Sequence, residues 1–506
     1  MKTPRIAVNS NDFCRESLIA AVMGVGFCGF GVVILSALLH LLFWSANEQG
    51  LMPVALLSLC FTLFSSFGIA LLFASWQMVR EQARLSTRKE QNPNQPWKWR
   101  DDWANGYAVH SPWPGTVFLG VISGLANLLV WGALFVFLVD DIQGNQPQSL
   151  SVGICLILGT FCATATSVLV FFALELTKSM RWKTSRLEMQ TVPIGLGEQF
   201  IGVIQLARPI AEPTSVRFTL TCKEGKAFRT TIAGREVGAS QCYDATLWQT
   251  SKKIDPRHDH DKVDQLPVAF HIPSDAIGTQ LEAEIDWTLA VEAQGGWFPY
   301  FAEFDIPVFA IDRQRTAKEQ NPNDADIATR VCDLTFADYL TLCHGRIGAE
   351  TADGIELKFG GVRSPKATAA QFAKIALWFV ICTGLYLTEA PTVMKFGFFL
   401  LGTIVFVAML VESITSVTIA VNTKQVSLCK RIFGLGRQLR IEAGDVRSIE
   451  PQLMRRGINS LMQECVVVKK QDGKTIVLAD GLLQRSTSEA IAKRLSATLA
   501  LDTPTK

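Results

Sequence analysis

The chain contains long apolar runs as well as stretches in which apolar and polar residues alternate. The two patterns predict different secondary-structure elements. A helical membrane span needs roughly 20 mostly apolar residues. Four strong runs reach that length, at 18–44, 54–78, 115–139 and 151–176, and two weaker ones follow at 372–387 and 393–412. The fifth run, 372–387, is short, so whether both weaker runs cross fully stays open. This pattern predicts a multi-domain membrane protein with an α-helical bundle of about six spans.

Between the fourth and fifth apolar runs, apolar residues recur at every second position. Ile285, Trp287, Leu289 and Val291 alternate with smaller or polar residues, and so do Val216, Phe218, Leu220 and Cys222. This alternation is typical of half-buried β strands. It predicts an all-β sandwich of the immunoglobulin or arrestin kind. Strands after residue 413 and a closing helix near 486–499 predict a small C-terminal β-barrel-plus-helix module, similar to a pleckstrin-homology module.

The two patterns together divide the chain into eight predicted segments. They are an N-terminal tail (1–17), a transmembrane hairpin (18–78), a Trp-rich and basic loop (79–114), a second hairpin (115–176), the β-sandwich (177–312), a linker with a β-hairpin (313–370), a third hairpin (371–412) and the barrel-plus-helix module (413–506). The hairpin in the linker is predicted at Asp353-Gly354, a strong two-residue turn signal.

Lys and Arg are distributed unevenly around the apolar runs. They concentrate in the tail, in the 79–114 loop, after the fourth run and before the fifth, whereas segments 46–53 and 140–150 contain neither. Positive charge marks the cytoplasmic side of a membrane protein. The distribution predicts a multi-pass protein of the bacterial inner membrane, with both termini and the β modules in the cytoplasm.

The amino-acid composition limits the classes of function that fit this chain. Hydrophobic residues make up 49% of the 506 residues and charged ones 19%, against about a quarter charged in soluble domains. The net charge of +2 gives no support for a nucleic-acid partner. We identify no catalytic set, cofactor cradle or metal site. The sequence R-H-D-H-D at 257–261 could offer ligands to zinc, but it is interpreted as a solvated loop because no second ligand pair follows at a recognisable spacing.

Two groups of residues are candidate interaction sites. In the loop at 93–103, tryptophans interleave with charges, which suits either docking to the β domain or a partner, or an interfacial belt that seats the helices. Its candidate partner or membrane-interface residues are Trp97, Trp99, Arg100, Asp102 and Trp103. In the C-terminal module a basic cluster could attract anionic lipid headgroups, or form a solvated basic face. Its members are Lys424, Lys430, Arg431, Arg437 and Arg440.

The pattern P-x-x-P-W-x-W-R-x-D-W at 93–103 resembles that of a family of uncharacterised proteobacterial inner-membrane proteins with a domain of unknown function. The similarity extends to L-E-M-Q-T-V-P at 187–193, L-P-V-A-F-H-I-P at 266–273 and F-D-I-P-V-F at 304–309. Asp480-Gly481, after the C-terminal hairpin, fits as well. The resemblance implies the architecture described above and no particular activity.

The sequence therefore predicts a non-enzymatic scaffold or adaptor of the inner membrane that presents β modules to proteins or lipids. Its predicted partners are the lipid bilayer and a protein of unknown identity, with no cofactor, and a homo-oligomer stays open. A transporter or channel accessory subunit is the alternative, and a membrane-bound hydrolase the least favoured one. The physiological role and the ligand are not readable from the residues.

Overall fold

Five β sheets form within the part of the chain that the computed structural model describes. The described residues are 51–142, 152–210, 215–232, 235–254, 263–280, 285–294, 298–311, 331–351, 353–360, 415–432, 435–456, 461–482 and 484–499, with isolated positions between 22 and 36 and between 397 and 407. The 257–261 loop that offered possible zinc ligands lies outside these residues.

Six helices lie in the continuous described ranges. They are α1 (Leu51–Gln91), α2 (Asp101–Ala104), α3 (Trp113–Ile142), α4 (Val152–Trp182), α5 (Phe336–Leu342) and α6 (Arg485–Thr498). Helices α3 and α4 pack antiparallel, since the hydroxyl of Thr116 near the start of α3 lies 2.6 Å from that of Ser179 near the end of α4. Asn127 Nδ2 also donates across the pair to the carbonyl oxygen of Ala165, at 2.8 Å.

The strands follow the alternation of the sequence. They are β1 (Tyr107–His110), β2 (Ser185–Met189), β3 (Ile194–Gly195), β4 (Gln199–Ile210), β5 (Ser215–Ile232), β6 (Arg235–Ile254), β7 (Val263–His271), β8 (Ile285–Gln294), β9 (Tyr300–Asp305), β10 (Val308–Phe309), β11 (Cys332–Asp333), β12 (Gly345–Thr351), β13 (Gly354–Phe359), β14 (Ser416–Asn422), β15 (Gln425–Ile432), β16 (Leu435–Glu442), β17 (Val446–Arg456), β18 (Leu461–Lys470) and β19 (Thr475–Leu482).

A β-sandwich occupies the middle of the chain, and it fits the one that the alternation predicts. One sheet has the order β1-β2-β4-β7 and the other β11-β6-β5-β8-β9, with β3 and β10 forming a short parallel pair. Side chains from both larger sheets share one apolar core, in which Phe200, Phe218, Leu220 and Leu289 are completely buried. Strand β1 comes from the 79–114 loop and pairs antiparallel with β2, so that loop is built into the sandwich.

The second module is assembled from two stretches of sequence. Its five-stranded sheet has the order β12-β13-β14-β15-β16, and β17-β18-β19 form a three-stranded sheet. Leu357 on β13 lies opposite Ile419 on β14, and both are completely buried. Helix α6 contributes Ile491 and Leu495 to the same core. The hairpin β12–β13 therefore belongs to the same sheet as the strands that begin at residue 416.

The two modules contact each other through β6 of the sandwich. Arg485 at the start of α6 donates to the carbonyl oxygen of Thr246 at 2.5 Å, and the Ser486 backbone N–H donates to Gln249 Oε1 at 3.1 Å. Lys253 on β6 pairs with Asp338 of α5 at 2.7 Å. The hydrogen bonds and the ion pair hold α5 and α6 against the sandwich.

The predicted membrane architecture is wrong. Within the described residues one helical stretch, Trp113–Gly132, is long and apolar enough to cross a membrane, judged by length and composition. The ordered cores lie in the β sheets. A helical bundle of about six spans, the classification as a transmembrane protein and the multi-pass inner-membrane localisation are all contradicted by this content.

The physical reason lies in how the apolar runs are interpreted. Membrane spans share length and hydrophobicity with apolar helices that do not cross a bilayer, so counting runs alone overestimates the number of spans. The runs at 54–78 and 151–176 correspond to parts of α1 and α4. Those at 18–44, 372–387 and 393–412 lie outside the described residues, apart from isolated positions.

Candidate functional site

Arg100 anchors the Trp-rich loop to the sandwich through ion pairs with two carboxylates. The guanidinium of Arg100 contacts Asp102 at 2.7 Å and, from the other side, Asp305 at the end of β9, also at 2.7 Å. Asp102 in turn accepts a hydrogen bond from the Trp103 backbone N–H at 3.0 Å. An arginine that bridges two carboxylates is fixed in geometry as well as in charge. Arg100 thus links the loop to a strand about two hundred residues further along the chain.

The side chain of Trp103 lies inside the sandwich core, where it is 2% exposed. Its Nε1 donates to the backbone carbonyl of Asp305 at 3.1 Å, which satisfies the one polar group of the buried indole. The ring meets Phe309 edge-on at 6.3 Å between centroids. Arg100 lies over the other side of the indole, 4.3 Å from its centroid. Trp103 is therefore a core residue of the sandwich that comes from outside the sandwich sequence.

The other two tryptophans of the loop extend this contact in opposite directions. Trp97 packs against Phe309 at 5.7 Å between ring centroids. Trp99 turns towards the end of α1, where its Nε1 donates to the Asn92 carbonyl at 2.8 Å and Lys89 lies 4.9 Å from its ring centroid. Together the three tryptophans connect α1, the loop and the sandwich. Of the candidate residues, Trp103 is too deeply buried to meet a partner.

The electrostatics of Arg100 agree with this anchoring. Burial by itself lowers the pKa of the guanidinium, but the hydrogen bonds and charges of Asp102 and Asp305 outweigh it, and the net shift is upward. Arg100 therefore stays charged at any pH at which the fold exists. Because its side chain is 36% exposed, solvent screens part of the attraction.

His110, the last residue of β1, is a candidate pH-sensitive contact between that strand and β9. Its Nδ1 accepts a hydrogen bond from the Glu303 backbone N–H at 3.2 Å, and the ring lies edge-on to Phe301 and Phe304. Burial lowers the pKa of His110 below its ordinary 6.5, and the charge of Lys178 adds to this, while Glu303 opposes it. Protonation at Nδ1 would remove the acceptor.

We expect the sandwich to lose stability on acidification, in part through His110. The unfolded histidine titrates near pH 6.5 and the folded one below it, so the unfolded chain binds more protons in that window. Stability should therefore fall as the pH drops from about 6.5 through the folded pKa. The measurement is the urea midpoint of the sandwich transition at pH 7.5 and pH 5.5, for the wild type and for His110→Asn, which keeps an acceptor. An equal acid-induced loss in both proteins would rule out a contribution from His110.

The basic cluster lies on the hairpin β15–β16, which ends the five-stranded sheet. Lys430 lies directly opposite Arg437 across the hairpin. By strand alternation both face the same side as the buried pair Val426 and Ile441, but the hairpin extends beyond the core and leaves them exposed. Like charges in register on neighbouring strands repel each other. Neither cation forms an ion pair with a carboxylate of the described residues.

The remaining predicted cations do not join that pair. Arg431 and Arg440 point to the opposite face of the hairpin, following the alternation of their strands. Lys424 lies in the turn before β15, at the other end of the strand from the hairpin tip. The structure thus distributes the cluster over two faces and one turn. A single flat anionic surface could not contact all five residues at once.

Asp305 is the functional residue that sequence reasoning missed. In the sequence it stands out only as part of the F-D-I-P-V-F stretch at 304–309. A carboxylate before Ile-Pro at a strand end has no local signal that names a distant arginine as its partner. Among the described residues there is also no group of three His, Cys, Asp or Glu side chains that could hold a metal ion.

The described chain is a β-rich protein of two contacting modules, with helices α3 and α4 preceding the sandwich. It matches no protein-family model and no curated protein. Among solved structures, it is similar to the crystal structure of Spo0M, a sporulation control protein from Bacillus subtilis, at 10% sequence identity. That match covers 51% of this chain and 88% of the other, with a TM-score of 0.18. A score this low supports no inference about fold or function. The family resemblance of the 93–103 loop stays a prediction.

Proposed function

We propose that this chain is a non-enzymatic adaptor that binds an acidic segment of a protein partner along the edge strand β16. The observation that carries the proposal is the exposure of that strand. Every residue from Leu435 to Arg440 is exposed, and Leu435 is 82% exposed. Strand β16 ends its sheet among the described strands. The edge of a sheet offers backbone N–H and C=O groups that an added strand can pair with.

The distribution of charge favours an extended peptide over a flat surface. In a strand, successive side chains alternate between the two faces of the sheet. A segment added beside β16 would therefore present side chains to both faces at once. Arg437 lies on one face and Arg440 on the other, so one extended segment can meet both cations. A lipid headgroup layer approaches from one side and would reach only one of them.

The exposed residues of β16 also indicate the chemistry of the partner. A partner residue opposite Arg437 or Arg440 is favourable if it is acidic. A partner residue beside Leu439, which is 39% exposed, is favourable if it is apolar. The complementary segment therefore has four consecutive residues in the order acidic, any residue, apolar, acidic. The order is reversed if the segment pairs antiparallel to β16. A second copy of this chain pairing through the same edge would bring arginines together. We therefore favour a different protein over self-association.

The test is binding of synthetic peptides to the purified full-length chain. A fluorescent ten-residue peptide containing Glu-Ser-Leu-Glu should bind, with an affinity that weakens as salt is added. A peptide in which lysine replaces both glutamates should not bind. Arg437→Glu and Arg440→Glu should each weaken the binding of the acidic peptide by about tenfold, since each substitution removes one attraction and adds a repulsion. Fluorescence anisotropy measures all of these affinities.

Lys493→Glu on the exposed surface of α6 is the matched control, because it changes the net charge equally and leaves the hairpin intact. It should bind the peptide like the wild type. Charged edge strands also prevent copies of a protein from pairing, and if β16 has only that role no peptide will bind. Binding to phosphatidylserine vesicles without peptide binding would equally overturn the proposal.

A further inference from the structure

A cavity lies where the helical part of the chain meets the sandwich. It is bounded by Trp113 at the start of α3, the end of α4, Arg208 on β4 and Phe298 just before β9, and its volume is 860 Å³. Cavities of about 300–1,000 Å³ accommodate small-molecule ligands. None of Trp97, Trp99 and Trp103 lines it, and neither does the edge strand β16, so it is separate from the surfaces described above.

Three cations line this cavity: Arg181, Lys183 and Arg208. No carboxylate is found among the described residues that line it. None of the three cations forms an ion pair with a carboxylate of the described chain, although Arg181 lies 5.0 Å from the ring centroid of Trp182. Three like charges at one opening repel one another, so an anion bound between them would lower the energy of the site.

The remaining wall is mostly apolar and open to solvent. Trp113 is 37% exposed and Met180 56% exposed, and Phe298 is half-buried beside them. Trp182 also lines the cavity and is buried, and its Nε1 has no hydrogen-bond acceptor among the described residues. A buried indole N–H usually finds a partner. A ligand with one anionic oxygen group and an apolar body would complement the cations and cover the exposed part of this wall.

The end of α4 brings Lys183 to the cavity. This residue follows the helix with φ of 48°, in the left-handed region, and its N–H donates to the Ser179 carbonyl at 2.8 Å to end the helix. Lys183 and Arg181 therefore line the cavity from the same helix end. Cations also stabilise helix C-termini, but that effect does not account for Arg208, which lies on a strand.

We propose that this cavity binds an anionic amphiphile, a small molecule with a carboxylate or phosphate group and an apolar chain. The anionic group lies between Arg181, Lys183 and Arg208, and the chain lies against Trp113, Met180 and Phe298. The proposal does not depend on the adaptor function, because the two surfaces share no residue.

Calorimetric titration of the full-length chain tests the ligand class, with all ligands below their micelle concentrations. Decanoate and decyl phosphate should bind, and the tighter of the two identifies the preferred anionic group. Decanol and decylammonium should bind at least about tenfold more weakly, the loss of one charge-assisted interaction. If decanol binds as tightly as decanoate, or if inorganic phosphate binds as tightly as decyl phosphate, the proposal is overturned.

Variants test the location. Arg208→Glu and Lys183→Glu should each weaken the binding of decanoate about tenfold or more. Met180→Gln, which adds no charge, should weaken it through the apolar wall. Lys493→Glu is the matched control and should bind like the wild type. Decanoate should also shift the indole N–H resonance of Trp113, assigned through Trp113→Phe. An unchanged affinity in both Arg208→Glu and Lys183→Glu, or an unmoved Trp113 resonance at saturation, would refute the site even if the wild type binds.

Discussion

Replacing Trp103 with alanine should destabilise the β-sandwich by about 3–5 kcal/mol, the range for removing a large aromatic ring from a packed core. The ring is 2% exposed, and its N–H would no longer reach the Asp305 carbonyl. Since the residue comes from the loop, its loss should also release β1 from β2. Hydrogen exchange should therefore accelerate in Tyr107–His110 and Ser185–Met189. The quantity to measure is the opening free energy from exchange followed by mass spectrometry.

Trp76→Ala is the matched control for this substitution. Trp76 is 55% exposed on α1, so the same chemical change removes little buried surface, and exchange in the sandwich should stay within about 0.5 kcal/mol of the wild type. Peptides of the second module, such as Leu461–Lys470, should be unaffected in both variants. If Trp103→Ala altered exchange only within the loop itself, the loop would be an appendage and not a part of the sandwich.

Leu357→Ala should destabilise the second module by about 2–5 kcal/mol, the usual cost of truncating a fully buried leucine. Leu357 is completely buried on β13 and lies opposite Ile419 on β14. Its substitution should therefore increase exchange in Ser416–Asn422, beyond the long intervening segment. That remote effect distinguishes a shared core from an independent hairpin.

Lys358→Ala, the neighbouring position on the other face of the same strand, serves as the comparison. Its side chain is 42% exposed and, among the described residues, forms an ion pair only with Glu356, at 3.2 Å, which is worth at most about 1 kcal/mol. We expect its exchange pattern to match the wild type. If Leu357→Ala accelerated exchange in Gly345–Phe359 alone, the assembly of this module from two sequence stretches would be refuted.

What could be predicted from the sequence depended on how local each feature is. The alternation in Val216–Cys222 and Ile285–Val291 identified the buried faces of β5 and β8, because strand periodicity is a property of the strand itself. The four residues that alternate on the inward face of each stretch are all 5% exposed or less. Strand existence and inward-facing residues could therefore be inferred without knowing any partner.

Features that join distant segments could not be predicted in the same way. Strand β1 has only four residues, and nothing in Tyr107–His110 indicates that its partner is Ser185–Met189. The Arg100–Asp305 contact also joins segments far apart in the chain, and neither segment alone indicates the other. For the helices the cause is different, because apolar length alone does not distinguish a membrane span from another apolar helix. For the basic cluster, the sequence predicts that each residue lies on or between strands. Only the register of the paired strands β15 and β16 shows which cations lie on the same face.

The pairing of β13 with β14 also has a consequence for synthesis of the chain. Phe359 and Val417 are opposite each other, so their Cα atoms lie about 5 Å apart, although roughly 60 residues separate them. A ribosome adding about 5–20 residues per second delivers β14 several seconds after β13. During that interval β13 can pair only with β12, and Leu357 lacks its partner Ile419 on β14, whereas the sandwich is already complete in sequence. The finished sandwich can present β6 as a surface on which α5 and later α6 dock, so the order of translation favours assembly of the second module upon the first.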